Sequence, residues 1–180
     1  MSSSMYGAGA EYALHSMLIL ATRPGPVSIS DLAGYQKIPE RFLAKLFTRL
    51  KKAKLVRGTE GITGGFALAK QPEAIPVLDI LKAVDPGRVL FTCAEIREHC
   101  ALFGKAPPDW AVSGPCRIHA FMQEAEQALQ SFLASKSLAE LVCEYSCKAP
   151  KAFAEETTDW FLERKKDRLA RRPVGDSSRS

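Results

Sequence analysis

Ile29-Ser-Asp-Leu-Ala-Gly-Tyr-Gln-Lys-Ile-Pro-Glu-Arg-Phe-Leu-Ala-Lys-Leu-Phe-Thr-Arg-Leu-Lys-Lys52 is two short helices separated by a tight turn. Ser28 or Ser30 can cap the first helix, with Asp31 in its first turn, where the helix dipole favours a carboxylate. Gly34 is expected to end it. The second helix is expected to start at Pro39, because proline suits the first helical position. On it Phe42, Leu43, Leu46, Phe47 and Leu50 share one face, while Arg41, Lys45, Arg49 and Lys52 share another. The apolar side anchors such a helix to its neighbour, and the basic side meets phosphates and base edges in a major groove.

The flanks extend this unit. Downstream, Leu55-Val-Arg-Gly-Thr-Glu-Gly-Ile-Thr-Gly-Gly-Phe-Ala-Leu68 holds two short β-type runs around a glycine-rich tip, a hairpin pattern. Upstream, Ala10, Ala13, Leu14, Met17, Leu18 and Ala21 recur at helical intervals over residues 9–23, and Arg23-Pro-Gly-Pro26 breaks the chain. The expected fold is mainly α with one small hairpin: a winged helix-turn-helix followed by a long C-terminal dimerisation helix. Ser28, Arg41, Lys45, Arg49, Lys52, Arg57, Gly64 and Gly65 are the expected DNA-contacting residues, and double-stranded DNA is the expected partner.

Charge supports a polyanionic partner. From Lys37 to Arg57 there are eight basic residues and one acidic; from Phe161 to Ser180 there are seven and three. The whole chain is only +5, so its positive charge lies in two short segments. With 180 residues, 46% of them hydrophobic, the chain can bury a core. Met17-Leu-Ile-Leu-Ala21 is too short to cross a bilayer, and Met1-Ser-Ser-Ser-Met-Tyr6 lacks a signal-peptide pattern. A cytoplasmic protein, neither membrane-bound nor acting on a small-molecule substrate, is expected.

The second half carries all five cysteines: Cys93, Cys100, Cys116, Cys143 and Cys147. After an amphipathic helix over 77–84, residues 85–115 are rich in glycine and proline and read mostly as loop. Pro115 opens a long helix with Ile118, Phe121, Met122, Ala125, Leu129, Phe132 and Leu133 on one stripe, which pairing with a second copy would bury. Cys116 stands at its start, where the positive end of the helix dipole favours thiolate. A loop with two cysteines closing on a third suits an iron–sulfur cluster or zinc, and free thiols are the bland alternative. Glu11 and His15 lie four apart on one face of the first helix, ordinarily just a weak surface pair. His99 and His119 are expected to be exposed or capping. Cys143 and Cys147 are expected to be core or semi-buried thiols, and Trp110 and Trp160 to be packing anchors. Ser137-Leu-Ala-Glu140 has the form of a capping box, and a further helix is expected around 153–169, with a frayed end beyond it.

The order of these parts resembles the Rrf-two family of bacterial winged-helix repressors. The likeness is carried by Glu11-Tyr-Ala-Leu-His15, Ile29-Ser-Asp-Leu-Ala33, Phe42-Leu-Ala-Lys-Leu46, Lys54-Leu-Val-Arg57, Gly64-Gly-Phe66, Asp79-Ile-Leu-Lys-Ala-Val84 and the cysteine loop, and covers roughly residues 6–143. It implies a cytoplasmic bacterial homodimer, many of whose relatives hold a 2Fe-2S cluster between the cysteine loop of one subunit and the first helix of the other. The cysteine spacing departs from three evenly placed residues and is similar to the RsrR-like subgroup. That likeness implies ligation by Glu11 and His15 of one subunit with Cys93 and Cys116 of the other, Cys100 being an alternative ligand. Pro39 departs from the serine common at that position in the family, and no counterpart is assigned to residues beyond about 148.

The expected division is a winged helix-turn-helix at 6–70, a linking helix and cluster loop at 71–114, a dimerisation helix at 115–147 and a basic extension at 148–180. The expected function is a redox- or nitrosative-sensing repressor. Three alternatives stand beside it: a cluster-free regulator sensing through thiols, a zinc site, and a hydrolase using Cys116 with His119. The hydrolase has poor nucleophile–base geometry and no third orienting group, so no enzymatic activity is expected.

Overall fold

Helix α1 (Ala8–Thr22) is the post around which the chain winds, and its small residues explain how. Ala10, Ala13, Ser16, Met17 and Leu20 are buried, and Leu14, Leu18 and Ala21 are half-buried, so partners approach from several sides. Those partners are α3 (Glu40–Lys52), α4 (Val77–Val84), α7 (Leu138–Lys148) and the second hairpin strand. The computed structural model describes residues 5–61 and 63–170, with α8 (Lys151–Ala170) as the final described helix. The expected frayed end at 171–180 lies outside the described residues.

Helix α2 (Ile29–Gln36) is capped by Ser28, whose Oγ accepts the Asp31 N–H at 3.1 Å. It does not stop at Gly34. Lys37 adopts a left-handed conformation (φ 55°) and its N–H closes onto the carbonyls of Ala33 and Gly34, so the cap falls at Lys37 instead. Gly34 has another use: a Cβ there would lie 3.3 Å from Arg164 and 3.8 Å from Trp160, so its missing side chain lets α8 approach. Pro39 is the N-cap of α3 rather than its first helical residue. Leu43, Leu46, Phe47 and Leu50 of α3 are buried, whereas Phe42 is 40% exposed and meets Tyr12 edge-on at 5.9 Å.

The wing is an antiparallel pair, β1 (Val56–Thr59) with β2 (Gly65–Leu68), in register Val56 opposite Leu68. Val27 adds a bridge to Phe66 through reciprocal N–H···O bonds of 2.9 and 2.8 Å, fastening the wing to the segment before α2. Gly65 permits this: its φ is +149° and a Cβ would stand 2.3 Å from the Val27 carbonyl oxygen. A Cβ on Gly64 would stand 2.2 Å from the Thr59 carbonyl oxygen. Both glycines are required by the fold itself, whatever they touch outside it.

Beyond α4 the loop holds a 3-10 turn (Ile96–His99) and the short α5 (Asp109–Val112), then α6 (Arg117–Ser135). Ser137 and Glu140 form the reciprocal capping box at the start of α7, as the sequence predicts. Two expectations fail here. Cys143 and Cys147 are both exposed, because α7 packs through Leu138, Leu141 and Val142 instead. Trp110 is 76% exposed and meets Phe103 edge-on at 5.8 Å. Trp160 does pack, against Tyr35 and Phe161.

Candidate nucleic-acid interface and metal centre

The α2–α3 unit presents Arg41, Lys45 and Lys52 on the exposed side of α3, opposite its buried leucines. Arg57 is exposed on β1, one strand away. Arg49 is also exposed, but its Nη1 donates to the Val84 carbonyl at 2.5 Å, tying α3 to the end of α4. Arg49 thus has a structural partner that the basic-face pattern does not reveal. Ser28 caps α2 with its hydroxyl, and its own N–H is outside that bond. This is a positive, convex helix face beside a two-stranded wing, the shape that enters a major groove while phosphates are gripped on either side.

The cysteine loop closes on itself. Arg97 donates from Nε to Glu95 at 2.9 Å and from Nη1 to the Gly114 carbonyl at 3.0 Å. One end of the loop is thereby strapped to the start of α6, and the Cys93 and Cys116 thiols lie close enough to influence each other's protonation. Cys116 is the N-cap of α6, so the His119 and Ile118 backbone N–H groups point at its sulfur and lower its pKa, with Arg97 adding to the effect. At Cys93 the Glu95 backbone N–H favours thiolate. Desolvation and hydrogen bonds with the Glu95 carboxylate and Cys116 outweigh it, and the pKa is raised. Glu95 itself is lowered, first by Arg97, and holds a left-handed backbone (φ 49°) that only a well-determined local structure sustains.

His119 differs from its expected exposed or capping role. It is half-buried, faces Phe91 at 6.2 Å, and its Nδ1 is enclosed with no hydrogen-bond partner among the described residues. An enclosed imidazole nitrogen one turn from the Cys116 thiol is donor chemistry suited to iron or zinc. Glu95 and Arg97 carry no spacing signal that sets them apart in sequence, and only the folded loop brings them to the thiols; His119, three residues after Cys116, is placed by the helix itself. Cys100 is exposed at the end of the 3-10 turn.

Glu11 and His15 are exposed on α1 as spaced, His15 opening onto an apolar cleft of about 310 Å³ shared with Leu18, Tyr35, Tyr145 and Phe153. They do not join the thiols within one chain: among the described residues no group of three or more His, Cys, Asp or Glu side chains is placed to hold a metal. The donors fall into two half-sites, one on α1 and one at the start of α6. Two thiols in one and a carboxylate with an imidazole in the other are donor types that iron accepts. On helix α6 none of the 19 residues is buried, and Ile118, Phe121 and Phe132 are 66, 68 and 60% exposed. Among the described residues no helix is long and apolar enough to cross a membrane.

Comparison with known proteins gives a consistent picture. The Rrf2 family profile, described as "Iron-dependent Transcriptional regulator", matches residues 6–144. The HTH-type transcriptional regulator IscR of Photorhabdus laumondii is 34% identical over 133 residues, covering 73% of this chain and 74% of its own. Among solved structures, CymR, the global cysteine regulator of B. subtilis, superposes with TM-score 0.60 at 23% identity, over 80% of this chain and 98% of its own. The IscR of T. potens gives TM-score 0.60 at 23% identity, over 84% and 93%.

Proposed function

Since the chain belongs to the Rrf2 family of DNA-binding transcriptional regulators, we propose that it is a homodimeric repressor of the RsrR-like kind, whose grip on its operator depends on a 2Fe-2S cluster. The observation that carries the proposal is the pairing of Cys93 with Cys116 at the start of α6, strapped by Arg97. These two thiols would hold one side of the cluster, and Glu11 and His15 of the second subunit the other. When bound, such a centre supplies a one-electron couple, or a target for nitric oxide or oxygen, with a potential set by its non-thiolate ligands.

The chain's own residues do the rest. Lys45, Arg41 and Lys52 approach base edges and phosphates from α3, and Arg57 reaches the backbone from the wing. Helix α1 carries Glu11 and His15 on one side and packs on α3 through the other. A change in what those two side chains bind therefore bears on the position of the recognition helix. A coupling of about 1–3 kcal/mol between the two sites is enough for a useful switch. The exposed stripe of α6 supports the dimer, because an apolar helix face of this extent is stable only when covered.

One observation favours a second arrangement. The enclosed Nδ1 of His119, in the first turn of α6, offers a further donor beside Cys116; because no three such side chains converge among the described residues, the loop would have to shift for Cys93, Cys116 and His119 of one chain to ligate, with α1 of the partner contributing one position or none. Anaerobic expression with iron and sulfide quantitation separates these. Cys93→Ala and Cys116→Ala abolish iron under both. Loss of iron in Glu11→Ala and His15→Ala, with His119→Ala near wild type, supports the α1 ligands; the reverse pattern supports His119. Colourless, iron-free wild-type protein that still binds DNA would reject the cluster.

A further inference from the structure

Helix α8 lies outside the residues matched by the family, yet it is bolted to the DNA-reading unit. It runs antiparallel to α2. At one end the Tyr35 hydroxyl and Thr157 Oγ1 are 2.9 Å apart, and Tyr35 packs on Trp160 and Phe161 at 5.3 and 5.1 Å. At the other, the buried Asp31 meets Arg164 at 3.7 Å and Arg168. Arg23 donates to Thr158 at 2.5 Å and lies over the Phe161 ring at 6.0 Å. The last turns of α8 consequently end beside Pro26 and Val27, the residue that bridges to Phe66 of the wing.

This placement gives meaning to the second basic segment of the sequence. The five residues from Arg164 to Arg168 include four cations and one aspartate. Arg164 and Arg168 are engaged by Asp31, while Lys165 lines the rim next to Pro26 and Lys166 is exposed. In helix-turn-helix docking the first helix of the motif crosses the phosphate backbone. Here Arg164 and Arg168 sit against Asp31 in that helix, and Lys165 lies by Pro26 and Val27 just before it, with Lys166 exposed alongside. We propose that the C-terminal turns of α8 are an accessory phosphate-binding element, with Lys165 and Lys166 extending each subunit's footprint along the duplex beyond the winged helix-turn-helix. The proposal rests on the DNA-binding reading and adds a second basic surface to it.

The test uses the full chain and a fluorescein-labelled mixed-sequence duplex, with affinity followed by anisotropy between about 50 and 200 mM salt. Lys165→Gln/Lys166→Gln is expected to flatten the slope of log affinity against log salt by about 0.9 for each phosphate no longer neutralised. Lys165→Arg/Lys166→Arg keeps the charge and should keep the slope. Lys82→Gln, on α4, should leave it unchanged. An unaltered slope in the double glutamine variant, alongside a flattened one in Lys45→Gln, overturns the α8 element and leaves the DNA reading intact. A wild-type slope near zero overturns both. Equal flattening by the arginine and glutamine pairs also overturns the proposal, since the effect would then be one of helix packing.

Discussion

Helices α3 and α6 are both amphipathic, yet the chain treats them oppositely. α3 sinks Leu43, Leu46, Phe47 and Leu50 into the core, and its cationic side alone remains outside. α6, longer by six residues, buries none of its own, and three of its large apolar side chains are at least 60% exposed. The chain thus completes the packing of its helix-turn-helix and leaves the apolar face of α6 exposed. The contrast teaches that a stripe in sequence states only that something must cover it, and that the rest of the chain decides whether the cover is internal.

Breaking the internal cover should have the largest effect. Phe47→Ala removes a fully buried ring that also meets Phe66 at 5.0 Å. It should cost about 3–5 kcal/mol in denaturant-induced unfolding, enough to unfold a marginal domain. Phe121→Glu on α6 should act on assembly instead. At about 2 kcal/mol per buried ring and two copies per interface, dimer dissociation should rise by roughly three orders of magnitude. Sedimentation would show monomer with unchanged helical content; an intact dimer would remove α6 from the interface.

Smaller changes sharpen the contrast. Gly65→Ala must relieve both a φ of +149° and the close approach to Val27, so stability should fall by about 1–3 kcal/mol. DNA affinity should fall with it even though no cation is removed. Ser137→Ala removes one half of the capping box of α7 and should cost about 1 kcal/mol, read as a lower Tm. The other half is titratable. The Ser137 backbone N–H, then Lys136, hold the Glu140 carboxyl below its ordinary value. Its contribution to stability is therefore present above the unfolded-state pKa and lost as pH falls through the folded one. The difference in Tm between wild type and Glu140→Gln should shrink in acid; a difference constant from neutral pH to about pH 4 would contradict this.

Much of the α3 half is legible in the sequence because its evidence is local. Phe47 and Leu50 declare a helix face, Gly64-Gly65 a turn, Ser28 a cap, and each acts within a few residues. The cysteine site is legible only in part. The position of Cys116 at a helix start can be read from Gly114-Pro115, but the Arg97 strap and the enclosed His119 Nδ1 depend on contacts across the loop. Cys143 and Cys147 mislead because neighbouring Leu141 and Val142 are apolar, and adjacency on a helix does not mean a shared face. The role of Gly34 is hidden for a related reason: glycine usually ends helices, and here it admits a helix from more than 120 residues downstream.

That last connection bears on synthesis. Asp31 and Arg168 are separated by 137 positions, and the carboxylate lies under the very helix that neutralises it. On the ribosome, α2, α3 and the wing can condense as soon as they emerge, but their acidic centre waits for α8. At about 10 residues per second the interval is on the order of 10 s. During that time the nascent regulator owns its recognition helix without the clasp that steadies the helix beside it.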